Sequence, residues 1–333
     1  MNDIESGEGR FDPGLGGWLL TRHADVAAAL RDPRLSVSGT PAAGHAAHLA
    51  VREAGAEAFP AAWLARWRTD IETSARAFAR SLPREQTVDL VETFAAPWSL
   101  GLAVTATGAP PAEAERLTHL ARQVFLAAAR STNGEPGPES AAAAGELARA
   151  FPADGASIAV QAFVALTHTL PFFLAGAWRE LFRHPEETLR LRTEPALMPQ
   201  AIEELLRYAS PARAVFRVAL EPVSIGSARI GAGERVVLML SAANRDPAQF
   251  PDPDRLDLRR GGQGHLAFGR GAHSCSGAQL IRMAAAVATE ALLQAADVVE
   301  PMGQVDWIGG FAIRAPASLP VILRSEFGGQ PGA

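Results

Sequence analysis

Lysine is absent from this 333-residue chain, and every one of its 31 basic residues is arginine. Each fixed positive charge is therefore a planar guanidinium, a fork suited to carboxylates. Nothing can supply the lysine of a Walker-type phosphate loop. Cysteine occurs once, at Cys275, which excludes an intramolecular disulfide, a cysteine-rich zinc site and a four-cysteine iron–sulfur cluster. A positive excess is also lacking: the net charge is −5 and the pI about 5.9, against a nucleic-acid binder held by phosphate contacts. Residues 1–17 show no charged-then-apolar leader pattern. The longest apolar stretch, Ile158 to Trp178, is interrupted by Gln161, Thr167, His168, Thr169 and Pro171. It reads as a buried helix rather than a membrane span. The expectation is a cytoplasmic protein without a membrane or nucleic-acid partner.

A content of 48% hydrophobic and 20% charged residues fits a folded globule. A chain of this length buries roughly three-quarters of its extended surface. Hydrophobic spacing predicts helices near 24–30, 61–81, 88–107, 111–130, 139–151, 157–183, 185–193, 198–208 and 275–296, and another carrying His48 and Arg52. Strands are expected at 18–21, 216–220, 223–230 and 235–239, with a proline-broken hairpin over 311–323. The fold class is mainly α with small β-sheets. The breaker cluster at 131–138 is too short to force a boundary, so 1–333 is read as one domain. The six tryptophans have no stacking period, and His45 with His48 lacks the further ligands of a separate metal site.

The strongest chemical signal is Phe268-Gly-Arg-Gly-Ala-His-Ser-Cys-Ser-Gly277. It sets the sole cysteine just before a proline-free Ala/Leu helix, where unpaired N–H groups and the helix dipole favour thiolate. Gly269, Gly271 and Gly277 allow a backbone to approach a large flat partner, and Phe268 can shield the sulfur from water. Such a thiolate is a good axial ligand for heme iron. The plainer alternative is a buried apolar cysteine within a glycine loop. Glu204-Leu-Leu-Arg207 places two opposite charges three residues apart on one helix face; the alternative is an ordinary surface pair.

With these residues in view, the chain resembles the cytochrome P-450 family, from about Trp18 to Leu323. The resemblance implies that fold, with a long central helix over the heme, and heme b (iron protoporphyrin IX) held by Cys275 as the axial iron ligand. His273 would meet a heme propionate, as would His48, Arg52 and Arg217; Phe268, Gly269 and Gly277 would complete the heme loop. Glu204, Arg207 and Arg255 would form a buried structural network. Tyr208-Ala-Ser-Pro211, Asn244-Arg-Asp-Pro247 and Phe250-Pro-Asp-Pro-Asp-Arg255 resemble family landmarks in the right order.

Ala165-Leu-Thr-His-Thr169 falls where the family carries A-G-x-(acid)-T. Leu166 replaces the glycine and His168 the acid. Thr169 and His168 are the candidate proton-delivery residues, the alternative for His168 being a core histidine. A threonine hydroxyl and Pro171 can both bend the helix. Substrate-pocket candidates are Ala165, Leu166, Arg213 and Val215. Compared with the family, the N-terminal and substrate-roof regions are truncated, so an open or small pocket is expected, or one covered by a partner protein.

The resemblance implies a heme-thiolate monooxygenase oxidising a small organic, secondary-metabolite-like substrate. Electrons would come from a ferredoxin-type donor, or peroxide would serve instead. Arg66, Arg68, Arg270 and Arg282 are a candidate docking patch for that donor, the alternative being scattered solvated charges. Two other readings stay open. One is a heme-thiolate enzyme of coupling, desaturation or rearrangement; the other is a non-catalytic relative that helps a partner enzyme.

Overall fold

The computed structural model describes residues 5–37, 59, 61–132, 137–152 and 156–324. In chain order these form β1 (Arg10–Asp12), β2 (Gly17–Leu20), α1 (His23–Ala29), β3 (Leu35–Ser36), α2 (Ala61–Ser81), β4 (Thr87–Asp89), α3 (Ala96–Thr107), α4 (Ala114–Arg130) and α5 (Pro138–Ala148). The chain continues through α6 (Ala156–Val164), α7 (Leu170–Arg183), α8 (Pro185–Thr193), α9 (Met198–Ala209), β5 (Ala214–Ala219), β6 (Val223–Ile225), β7 (Ala228–Ile230) and β8 (Arg235–Met239). It ends with α10 (Leu240–Ala243), α11 (Ala278–Ala295), β9 (Val298–Pro301), β10 (Trp307–Gly309), β11 (Arg314–Pro316) and β12 (Pro320–Arg324).

The predicted long helix is present as α6 and α7 joined by a π-turn over Ala165–Thr169. Leu170 N–H reaches the Ala165 carbonyl, five residues back. Pro171, which has no N–H and whose ring would crowd the carbonyl four residues back, follows directly. By length and composition the segment Ala156–Arg183 could cross a membrane. Here it is the central core helix: Leu170, Phe173, Leu174, Trp178 and Leu181 are buried in the main cluster. Trp178 stacks on Phe94 at 5.4 Å between ring centroids. Its Nε1–H donates to Thr289 Oγ1 at 3.0 Å, tying the long helix to α11.

Helix spacing explains the elements around it. In α9, Met198, Ala201, Ile202, Leu205 and Leu206 form one buried stripe. In α4, Leu117, Leu120, Ala121 and Phe125 do the same. The five-stranded sheet has the order β1-β2-β8-β5-β3, with β2 and β8 parallel and the other pairs antiparallel.

Three local readings differ. The segment 88–107 begins with β4 and a π-turn at Val91–Ala95 before α3. Residues 223–230 are a hairpin of two short strands rather than one strand. The tail is not a single hairpin: β11 pairs with β10, whereas β12 pairs with β4 and β9. Pro316 and Pro320 lie at the facing ends of β11 and β12. They cannot donate to a ladder, so the chain changes partner there.

Replacing Trp178 by alanine is expected to destabilise the protein by about 3–5 kcal/mol, because the cavity would sit at the junction of the long helix and α11. Denaturant unfolding of the variant measures this.

Candidate functional site: the Cys275 loop and its cavity

Cys275 sits two residues past a 3₁₀ turn (Gly271–His273) and three before α11. Its N–H donates to the Phe268 carbonyl at 2.9 Å, closing the loop. Cys275 has exposed surface, but the protein around its sulfur desolvates it and pushes the thiol pKa up, against a hydrogen bond from the Gly277 backbone and the charge of Arg282, which lower it. The expected helix-end stabilisation of a thiolate is thus opposed by desolvation, the larger effect. The glycines have divided roles. A Cβ on Gly277 would meet nothing closer than the Cys275 sulfur at 3.9 Å, and one on Gly269 nothing closer than 3.6 Å. Gly271, with φ +72°, is pressed against the chain itself: a Cβ there would lie 2.7 Å from the Leu30 carbonyl oxygen. That close approach serves loop packing, not a flat partner.

The sulfur opens onto a cavity of about 230 Å³. His273 through Gly277 and the first turn of α11 form one side; Ile158, Gln161, Ala162, Ala165 and Leu166 of the long helix form the other. Ala165 and Leu166 therefore line the same cavity as Cys275. The π-turn begins at this wall, and π-turns within helices occur frequently at functional sites. Thr169 is half-buried, at the last position of the π-turn, and its hydroxyl has no hydrogen-bond partner among the described residues.

His168 is not at the cavity. It is buried, stacks on Phe125 at 5.4 Å and lies within hydrogen-bond reach of Thr167 Oγ1, 2.9 Å from its Nδ1. Burial, reinforced by Arg122, lowers its pKa to about 4, so it is neutral near pH 7. The proton-relay role is corrected to that of a core histidine. The helix-bending hydroxyl is likewise Thr167, which donates to the Phe163 carbonyl at 2.7 Å.

Arg217 lies on β5 on the same face as Val215 and Ala219, which pack with Leu30 and with Leu266 of the cysteine loop. Its guanidinium is buried and, among the described residues, makes one hydrogen bond, to the Phe216 carbonyl at 2.7 Å, and leaves Nε unpartnered. Burial lowers its pKa to about 10. A buried guanidinium without a carboxylate is costly unless an anion completes it. His48 and Arg52 lie outside the described residues. Of the other pocket candidates, Val215 packs against the cluster under the sheet, and Arg213 lines a different cleft beside Tyr208 and Trp307. Neither lines the Cys275 cavity; for Val215, on β5, the face of the strand decides where the side chain points.

Behind the loop, Glu204 and Arg207 form a fork-to-fork pair, with bonds of 2.8 Å and no side-chain exposure. Arg207 also donates to the carbonyls of Asn244 and Pro253. The third arginine is Arg260, whose Nε donates to Glu204 at 3.2 Å. Arg255 is exposed and offers only its carbonyl. The correction has a simple reason: the turn Leu258–Arg260 carries Arg260, five residues later, back over α9. Asn244 Oδ1 accepts from Leu266 N–H at 2.7 Å, and Asp246 accepts from His23 N–H at 2.7 Å. The His23 ring donates to the Gly264 carbonyl.

Sequence reading missed Glu203. It accepts from Arg282 at 2.5 and 3.1 Å and from His265 at 3.1 Å. Burial alone would raise its pKa, but these hydrogen bonds and charges outweigh it and bring it to about 2. The available signal was adjacency: neighbouring carboxylates on a helix diverge by about 100°, so they must serve different partners. The proposed docking patch is correspondingly thinned. Arg282 is bound to Glu203, and Arg270 donates to the Gly264 carbonyl. Arg68 pairs with Glu72, and Arg66 lies over Trp67.

Residues 181–307 match the family model described as Cytochrome P450. The chain is 34% identical to cytochrome P450 105C1 of a Streptomyces species, over 85% of this chain and 82% of that one. It is 35% identical to the cytochrome P450 monooxygenase PikC of Streptomyces venezuelae, a match spanning 58% of this chain and about half (49%) of PikC. Among solved structures it resembles P450BioI in complex with a fatty-acid-ligated acyl carrier protein. That match has TM-score 0.81 and 25% identity, and covers 92% of each chain.

Two outcomes are expected from the pairs behind the loop. Glu204→Ala leaves a buried guanidinium uncompensated and costs about 3–5 kcal/mol in denaturant unfolding. For Glu203, a depressed pKa means stability present in full above about pH 4.5 and lost as pH falls through about 2. Wild type is expected to exceed E203Q by at most about 3 kcal/mol at pH 6. The gap should close towards pH 2; one that stayed constant would refute the coupling.

Proposed function

Because the chain belongs to the cytochrome P450 family, we propose that it is a heme-thiolate monooxygenase acting on a small organic, secondary-metabolite-like substrate. The observation that carries this reading is Cys275 at one side of a cavity whose other side is α6 and the first two residues of the π-turn. The residues fit heme b. Cys275 is positioned as the iron ligand, Gly269 and Gly277 keep the loop free of side chains, and Phe268 packs beside it. Arg217 supplies a buried guanidinium that meets no carboxylate among the described residues, and a heme propionate would complete it. His273 lines the same cavity, and His48 and Arg52 are carried over from the family motif.

When bound, the heme supplies an iron onto which the thiolate pushes electron density, favouring O–O cleavage. Cys275 would hold the iron as its thiolate. On the long-helix side, Leu166 limits the room beside the iron and Ala162, Ala165 and Ile158 keep it apolar. Thr169, at the far end of the π-turn, does not line this cavity; its role in holding a proton or a water is carried over from the family motif. Electrons come from a separate ferredoxin-type protein, and the site of action is the cytoplasm.

A second reading has one observation in its favour. None of the described long-helix residues lining the cavity is titratable, and His168 is turned into the core. Peroxide use asks less of a proton relay than activation of molecular oxygen does, because peroxide arrives already carrying the two protons and two electrons.

The reduced protein under carbon monoxide is expected to show the thiolate-type Soret band, and Cys275→Ala to lose it. A wild-type protein that takes up no heme would overturn the enzyme reading and leave the helper reading.

A further inference from the structure

Glu203 ties α11 to α9 and the cysteine loop, a link that the Glu204 network does not make. Its carboxylate lies on α9 and takes both donors of the Arg282 fork from α11. It also takes the His265 ring from the cysteine loop. The histidine's role is set by its other nitrogen. Ala267 N–H can only donate, and it donates to His265 Nδ1 at 3.1 Å; the ring proton is therefore on Nε2 and points at Glu203. Both partners of Glu203 meet the same aromatic ring. The Arg282 guanidinium lies over Phe268 at 4.7 Å, and the His265 ring lies 5.9 Å from it. The Phe268 carbonyl then holds the Cys275 N–H at 2.9 Å. The approach of loop to helix is tight: Gly262 has φ +51°, and a Cβ there would lie 2.3 Å from the Glu203 carbonyl oxygen.

We infer that Glu203, through His265 and Arg282, is the positioning residue of the Cys275 loop, clamping Phe268 from two sides and so fixing the backbone that aims the sulfur. Arg282 is thereby an internal strut rather than a free docking charge. The loop-clamping part stands on geometry alone; its consequence for the iron ligand rests on the heme-thiolate reading. Glu203 touches neither cavity nor sulfur, so its effect passes through other side chains.

The test compares wild type, Glu203→Ala and the milder Glu203→Gln. Deuterium uptake is followed in peptides covering 265–277, with peptides of 114–130 as the reference. The alanine variant is expected to exchange at least tenfold faster across 265–277, with the reference unchanged, and the glutamine variant to fall between. In the heme-loaded protein, the alanine variant is expected to lose heme to apomyoglobin at least fivefold faster. It should also shift part of its carbon monoxide spectrum from the thiolate-type to the thiol-type band. Unchanged uptake over 265–277 overturns the inference, as does an equal rise in the reference peptides, which would mark a general stability role. If wild type takes up no heme, the enzyme reading fails, and deuterium uptake still decides the clamp.

Discussion

The buried fork between Glu204 and Arg207 is the constraint on which the site depends. Neither side chain has exposed surface, so each charge can persist only with the other beside it. Arg207 spends its remaining donors on the carbonyls of Asn244 and Pro253, and Glu204 accepts from Arg260 and Asp257 N–H. One helix turn thereby gathers two distant loops. Asn244 in turn holds Leu266, at the start of the cysteine loop. Pairing is thus transmitted from α9 to the segment carrying Cys275 by hydrogen bonds of ordinary length, none of which touches the cavity.

The two faces of the cavity are held by different physics. The cysteine side rests on polar contacts: backbone carbonyls, guanidiniums and carboxylates. The opposite side rests on apolar packing, with the long helix anchored through Trp178, Phe94 and Thr289. Between them the helix widens into a π-turn at Ala165–Thr169. The widened turn directs Thr167 and His168 inward to the core and leaves Ala165 and Leu166 on the cavity. A family motif altered at two positions thus acquires a physical reading. One replacement, Leu166, lines the cavity; the other, His168, lies in the core and leaves the cavity wall uncharged.

Arginine as the only fixed cation shapes the interior. Arg207, Arg217 and Arg213 are all buried, a position that favours a planar, weakly hydrated, permanently charged fork. Arg217 differs from Arg207 in having no carboxylate beside it among the described residues.

Local patterns sufficed for the long apolar helix, the Glu204–Arg207 spacing and the glycine-flanked Cys275, because each depends on residues within one or two turns of each other. Arg255, by contrast, was the wrong third arginine, and Glu203 went unnoticed, because both questions turn on which side chain a loop returns to a helix some fifty residues away. His168 and Val215 failed for the same reason in another form: a side chain's direction follows from the π-turn and from the strand's face, neither of which a motif encodes. The sequence by itself determined the chemistry on offer, one thiol, many guanidiniums and a helix able to bend. Only tertiary packing decided which of these meet, since partner choice among identical arginines is a matter of chain path and excluded volume.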